Sequence, residues 1–220
     1  MAPVTENAVL PLKAGLDLSQ GDAAQTWRST LDTIQSQPGC QRVAWGRQRE
    51  NPDHAQMLID WDSIDNHKAF IASPSYGPFL AGVSALIAAP PVLTHHAFPS
   101  AVPAVTTSAP VTELVSFYFP ADYNTPDLAA PWDEFVRVAA ENAKGLVGSS
   151  ASWAEEEVEH SSLKGEKGKV FLALIAWESV DAHMAYRDTQ AFKESIVKLR
   201  NLVSGIEMHH VDFQSAQSSV

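Results

Sequence analysis

The stretch Trp61-Asp62-Ser63-Ile64-Asp65-Asn66-His67-Lys68-Ala69-Phe70 returns later in the chain as Trp177-Glu178-Ser179-Val180-Asp181-Ala182-His183-Met184-Ala185-Tyr186. Five of the ten positions are identical, and Asp/Glu, Ile/Val and Phe/Tyr are like-for-like exchanges. Each copy is followed by an apolar stripe at helical spacing and then by a histidine pair, His95-His96 and His209-His210. A chain that writes one pattern twice is constrained to an architecture of two like units. Two copies are too few to stack as a solenoid. They suit a dimer fused into one polypeptide.

The chain's 220 residues suffice for two units of about 100 residues each. A net charge of -11, with no basic run, argues against nucleic acid and anionic membrane surfaces, which need concentrated Lys and Arg. Residues Met1 to Leu12 lack the positive start and apolar run of a signal peptide. No stretch reaches the roughly 20 apolar residues that span a bilayer. Cys40 stands alone, so no internal disulfide forms and a reducing, cytoplasmic setting is expected.

Each half reads as strand, helix, strand, strand, helix, strand. In the first half Ala8 to Ala14 is read as a strand, and Ala24, Trp27, Leu31 and Ile34 fall on one helix face that ends before Pro38-Gly39. Strands follow at Arg42 to Arg49 and Gln56 to Trp61, joined by the turn signal Asn51-Pro52-Asp53. Ser63 caps a short helix, the stripe Tyr76, Phe79, Leu80, Val83 marks the next, and Val92 to Phe98 closes the half. The second half repeats this from Val111 to Phe119 through Ile206 to Phe213, with a charged hairpin tip at Lys164 to Gly168. Residues 1–98 and 111–220 form the two halves. The Pro-rich segment 99–110 between them is an extended linker able to reach about 40 Å, and the polar tail 214–220 is expected to fray.

The order β-α-β-β-α-β is the split βαβ, ferredoxin-like plan, which covers one sheet face with helices and leaves the other bare. Two such units can join their bare faces as an intramolecular pseudo-dimeric α+β barrel. With Trp61 and Trp177 ending strands, the Ser and acid after them, His67, His183, Phe70, Tyr186 and the phrase Ser73 to Phe79, the chain resembles the dimeric α+β barrel superfamily. The likeness is to its antibiotic-biosynthesis monooxygenase-like and stress-responsive branches, and it spans both halves. It speaks for the fold more than for a reaction.

His67 and His183 share the inward helix face with Ile64 and Val180, and an imidazole with a pKa near 6.5 suits a general base. The competing reading is a buried histidine that pins its helix to the sheet. Neighbouring strand residues point to opposite faces, so His95 and His96 cannot chelate one ion together, and no metal site is expected. His96 and His210 are each taken as candidates, although parity leaves open which member of each pair faces a pocket. Tyr76 and Tyr186 are candidate hydroxyl donors. Trp45, Trp61, Trp153, Trp177 and Phe70 are read as core packing or as an aromatic wall for a flat ligand.

The cyclase branch of the superfamily acts through a Tyr on the short helix and a His six residues later. Here those positions hold Tyr186 with Phe192, and Phe70 with Tyr76, so neither half keeps the pair. The haem-degrading branch ligates iron about ten residues after the Trp, where this chain has Ile71 and Arg187. The absence of a Gly-rich dinucleotide fingerprint or phosphate loop argues against flavin and nicotinamide. The resemblance therefore implies a tailoring enzyme that works without cofactor on an aromatic or polyketide-like molecule in secondary metabolism, by oxygenation or base-catalysed rearrangement. A cyclase or isomerase, or a non-catalytic binder of an apolar ligand, remains the alternative. The fused pair could associate further as a homodimer.

Overall fold

The computed structural model describes residues 2–99 and 106–216. Residues 100–105 of the expected linker lie outside them, and Thr106 to Ser108 form a helical turn. The chain divides into two units, Met1–Ala97 with Asp212–Val220, and Phe98–Val211. Each is α+β, with one antiparallel sheet.

The first unit runs β1 (Val4–Pro11), α1 (Gly21–Gln35), β2 (Cys40–Arg47), β3 (His54–Trp61), α2 (Ile64–Ile71), α3 (Tyr76–Leu86) and β4 (Val92–His96). The second runs β5 (Val111–Pro120), α4 (Ala129–Asn142), β6 (Leu146–Trp153), β7 (Val158–Glu159), β8 (Lys167–Trp177), α5 (Val180–Arg187), α6 (Gln190–Arg200) and β9 (Gly205–Val211). Strand order is β2-β3-β1-β4 in the first sheet and β6-β8-β5-β9 in the second, the same ferredoxin-like order read in two registers of the sequence. The second hairpin's extra residues form β7 against β8 and a short 3-10 turn at Ser161–Leu163.

One face of each sheet packs under its helices. Val4, Ala8, Leu10, Met57, Ile59 and Trp61 meet Trp27, Leu31 and Ile34 of α1 and Val83 and Leu86 of α3. In the second unit Val115, Phe117, Phe119, Ala173, Ile175 and Trp177 meet Phe135 and Ala139 of α4 and Ile196 and Leu199 of α6. The opposite faces are also withdrawn from water: Gln56, Leu58, Thr112, Leu114, Leu172 and Leu174 are all buried. Burial on both faces explains why β8 reads as a continuous apolar run instead of alternating.

Most strand ends move by about two residues from the sequence reading, and two differences go further. β1 begins at Val4, because Thr5 and Glu6, polar in sequence, pair in full register with Asp60 and Ile59. The described part of the tail is paired: Gln214–Ser215 form β10 on the outer edge of β2, and Ala216 is buried in the first unit's core, while 217–220 lie outside the described residues. The Gln35 side-chain amide donates to the Ala216 carbonyl at 2.6 Å, and the Ala216 N–H donates to the Val43 carbonyl at 2.9 Å. Pairing to an edge whose N–H and C=O groups need partners outweighs the tail's polar composition.

Candidate active site

Strand register assembles the site. In the first sheet Glu6 lies directly between Ile59 on β3 and His95 on β4, on the helix-facing side. Trp61 sits diagonally across from it on the same face. After Trp61 the chain turns at once into α2, whose first turn carries Asp65 where the helix dipole favours an acid. One turn in, His67 is delivered onto the sheet, its ring stacked on Trp61 with centroids 5.3 Å apart.

The close approach of α2 depends on Gly39. It adopts φ +84, and a Cβ there would lie 2.3 Å from the Asn66 side chain. Its carbonyl accepts from the Asp62 N–H at 2.8 Å, which holds the strand-to-helix turn. Gly145 does the same in the second unit: φ +83, a Cβ would lie 2.7 Å from Ala182, and its carbonyl accepts from Glu178 at 2.8 Å. Beside each glycine the edge strand shifts register opposite the tryptophan, between Cys40 and Arg42 and between Leu146 and Gly148.

The result is a buried row of four groups. Trp61 Nε1–H donates to Glu6 Oε2 at 2.9 Å; His67 Nε2 lies 3.5 Å from the same oxygen; His67 Nδ1 and His95 Nε2 are 2.7 Å apart. The second unit repeats it. Trp177 Nε1–H donates to Glu113 Oε2 at 2.9 Å, His183 Nε2 stands 3.4 Å from that oxygen, and His183 Nδ1 and His210 Nε2 are 2.8 Å apart. Glu6, His67, His95, Glu113, His183 and His210 are all buried.

One proton assignment suits these three contacts. His95 Nε2–H donates to His67 Nδ1, and His67 Nε2–H points at the carboxylate that Trp61 already meets. A buried carboxylate is tolerable only when donors surround it, and here an indole and an imidazole do so. With both ring nitrogens of His67 so engaged, the group of the row that can accept a proton from the cavity is the carboxylate.

Glu6, His67 and His95 each offer one ligand atom within 4.8 Å of the others. His67 turns one ring nitrogen to His95 and the other to Glu6, however, so a shared ion would have to break the 2.7 Å histidine contact. Hydrogen bonding, rather than ligation, describes the geometry.

The tryptophan, the glutamate and the helix histidine of each row line an apolar cavity. In the first unit Glu6, Trp61 and His67 share it with Phe70, Tyr76, Phe79 and Leu80, and its volume is about 70 Å³. In the second, Glu113, Trp177 and His183 share it with Tyr186, Phe192 and Ile196, at about 100 Å³. A cavity of roughly 150 Å³ holds one benzene. These hollows therefore admit the edge of one ring, and a larger apolar body would rest against rim residues such as Leu80, Leu93 and Ile206, all partly exposed.

The candidate residues thus divide. Trp61, His67, Phe70 and Tyr76 meet at one cavity, and Trp177, His183 and Tyr186 meet at the other, with His210 bonded to His183. His96 does not join: its neighbour His95 is the partner of His67, while His96 lies on the other sheet face, bonded to Thr94 Oγ1 at 2.9 Å. The two histidine pairs match one residue out of step, since Glu6 faces His95 and Glu113 faces His210. Trp45 packs edge-on against Trp27 with centroids 4.9 Å apart. Trp153 contacts Phe119 and Phe171, and it lines a wider groove with Trp132 between α4 and β6. The residues that sequence reasoning missed are Glu6, Glu113 and His95. Each acid lies two residues after the partner of the strand-ending tryptophan, Val4 for Trp61 and Val111 for Trp177, and Glu6 fell outside a first strand read as starting at Ala8.

Residues 19–81 match the family described as antibiotic biosynthesis monooxygenase, a span that contains Trp61, His67 and Tyr76 but neither Glu6 nor His95. Among solved structures, an anthrone oxidase-like protein aligns over 100% of this chain and 96% of its own, with TM-score 0.67 and 13% identity. A proposed monooxygenase of Lactobacillus acidophilus aligns over 99% of this chain and 97% of its own, with TM-score 0.59 and 10% identity. One from Fusobacterium nucleatum subsp. nucleatum aligns over 98% and 93%, with TM-score 0.57 and 10% identity. Identities this low speak for a shared fold. No curated protein sequence matches the chain. No helix among the described residues is long and apolar enough to cross a membrane.

Proposed function

We propose that this chain, whose fold is that of the dimeric α+β barrel superfamily, is a small-molecule tailoring enzyme that oxygenates an aromatic, polyketide-like substrate by base catalysis. The observation that carries the reading is the buried Glu–His–His row on the floor of an apolar cavity, present in both units. A carboxylate–imidazole pair in such a place is costly to bury and contributes nothing to packing that apolar side chains would not do better. Its position suits proton removal from an acidic phenol or from a CH2 between aromatic rings.

The anion so formed is rich enough to give one electron to O2. Recombination makes a carbon–oxygen bond and a hydroperoxide, which loses water to leave a carbonyl. The balance is one CH2 and one O2 giving one C=O and one H2O, with the carbon oxidised and O2 reduced. The chain's own residues would do three things. The Glu6 or Glu113 carboxylate takes the proton, His67 with His95 or His183 with His210 holds that carboxylate in place, and the apolar walls keep water from the anion. The same proton removal without O2 would give an isomerase.

The likeness in fold to an anthrone oxidase-like protein favours an anthrone as the first compound to try. Oxygen uptake should accompany quinone formation from an anthrone, and His67→Ala together with His183→Ala should abolish both. Quinone formation at the uncatalysed rate with wild-type protein would overturn the reading. Tight binding without any turnover would assign a binder instead.

A further inference from the structure

The two cavities share a floor and differ at the mouth. Arg187 and Arg200 both line the cavity of the second unit. When Trp61 is aligned with Trp177, Ile71 and Ser84 occupy those places in the first unit, and no Lys or Arg lines its cavity. Arg187 ends α5, one turn beyond His183, and its guanidinium carbon stands 5.9 Å from the centre of the Phe192 ring. Arg200 ends α6 on the stripe that runs through Phe192 and Ile196. Among the described residues, neither guanidinium has a carboxylate within ion-pair distance, whereas Arg42, Arg49 and Arg137 each do.

A third difference lies deeper. Tyr186 lines the second cavity with its hydroxyl buried beside that of Ser195, where the first unit has Phe70. Two unpaired cations over an apolar throat, with a hydroxyl inside, are the complement of a ring that carries an acid. Planar guanidinium groups recognise carboxylates with paired N–H donors.

We propose that the second unit's cavity takes an aryl carboxylate, its anion held at the mouth by Arg187 and Arg200 and its ring against Phe192 and Ile196. The first unit's cavity takes a neutral ring. The ring edge would then face Tyr186 and the Glu113–His183 pair. This orientation, though not the binding itself, rests on the reading of that pair as the reactive group.

The test is binding of benzoate and of benzamide, which share a ring and differ in charge, followed by ligand-observed NMR on the full-length protein. Benzoate should bind about tenfold more tightly than benzamide, as one charge-assisted contact allows. Arg187→Met with Arg200→Met should weaken benzoate about tenfold and leave benzamide unchanged. Benzoate affinity of the wild-type protein should also fall with added NaCl, a readout that needs no variant. No benzoate binding, equal affinity for the two compounds, or benzoate affinity indifferent to both substitutions and to salt would overturn the proposal. Neither measurement involves O2 or turnover. Arginine-dependent binding without anthrone oxidation would therefore leave this inference standing while the proposed function fell.

Discussion

Glu6 and Glu113 each meet a tryptophan N–H at 2.9 Å, and the indole's donor is the part of Trp61 and Trp177 that a phenylalanine cannot supply. Trp61→Phe keeps most of the packing and removes one donor from a buried carboxylate, so it should cost about 1–3 kcal/mol of stability. In a Glu6→Gln background that cost should shrink, because the carboxylate charge is gone. Urea denaturation of the four variants measures this, and an equal loss in both backgrounds would assign Trp61 to packing alone. Cys40 presents the opposite case, a reactive group made inert. Burial pushes its thiol up from 9.0 to about 11. A raised thiol pKa means less thiolate at any pH below it, so at pH 8 alkylation by iodoacetamide should run roughly 100-fold slower than for a thiol at the ordinary value. Mass spectrometry over time checks it; rapid labelling of the native protein would contradict the burial.

The short helices α2 and α5 matter through their closeness to the sheet, and one glycine in each unit permits it. Gly39 and Gly145 both sit at positive φ with a side chain of the following helix where a Cβ would go. Gly39→Ala or Gly145→Ala should therefore cost about 2 kcal/mol from backbone conformation alone, with more from displacement of the helix. A fall of several degrees in melting temperature, together with lost turnover, is the expected pair of results. Lost turnover with unchanged stability would mean that the helix had moved without strain. The sequence showed Pro38-Gly39 as a helix stop, but the requirement for Gly against Asn66 involves residues far apart in the chain. The edge strand β10 shows the same limit. Nothing in the run 212–216 announces a strand, because its hydrogen bonds are made to β2 and the side chain it buries, Ala216, is small.

At the scale of the whole molecule, the chain holds two complete sets of the same groups, each within its own unit. If each set works alone, Glu6→Gln and Glu113→Gln should each leave part of the oxygen uptake, and the double substitution should remove it. Complete loss from one substitution, with none from its counterpart, would assign the chemistry to a single unit. The repeated Trp-x-Ser-x-Asp-x-His phrase, its helical stripes and its period were enough to determine two ferredoxin-like units, since apolar periodicity and turn residues are local signals. They also placed His67 and His183 on inward faces. Which histidine of each pair lies behind them was decided by strand register, which sets His95 and His210, not His96, opposite the two glutamates. A one-residue slip in pairing turns every side chain to the other face, and register is fixed by contacts between strands far apart in sequence. For the same reason the carboxylates at the centre of both sites could be seen only when the sheets were assembled.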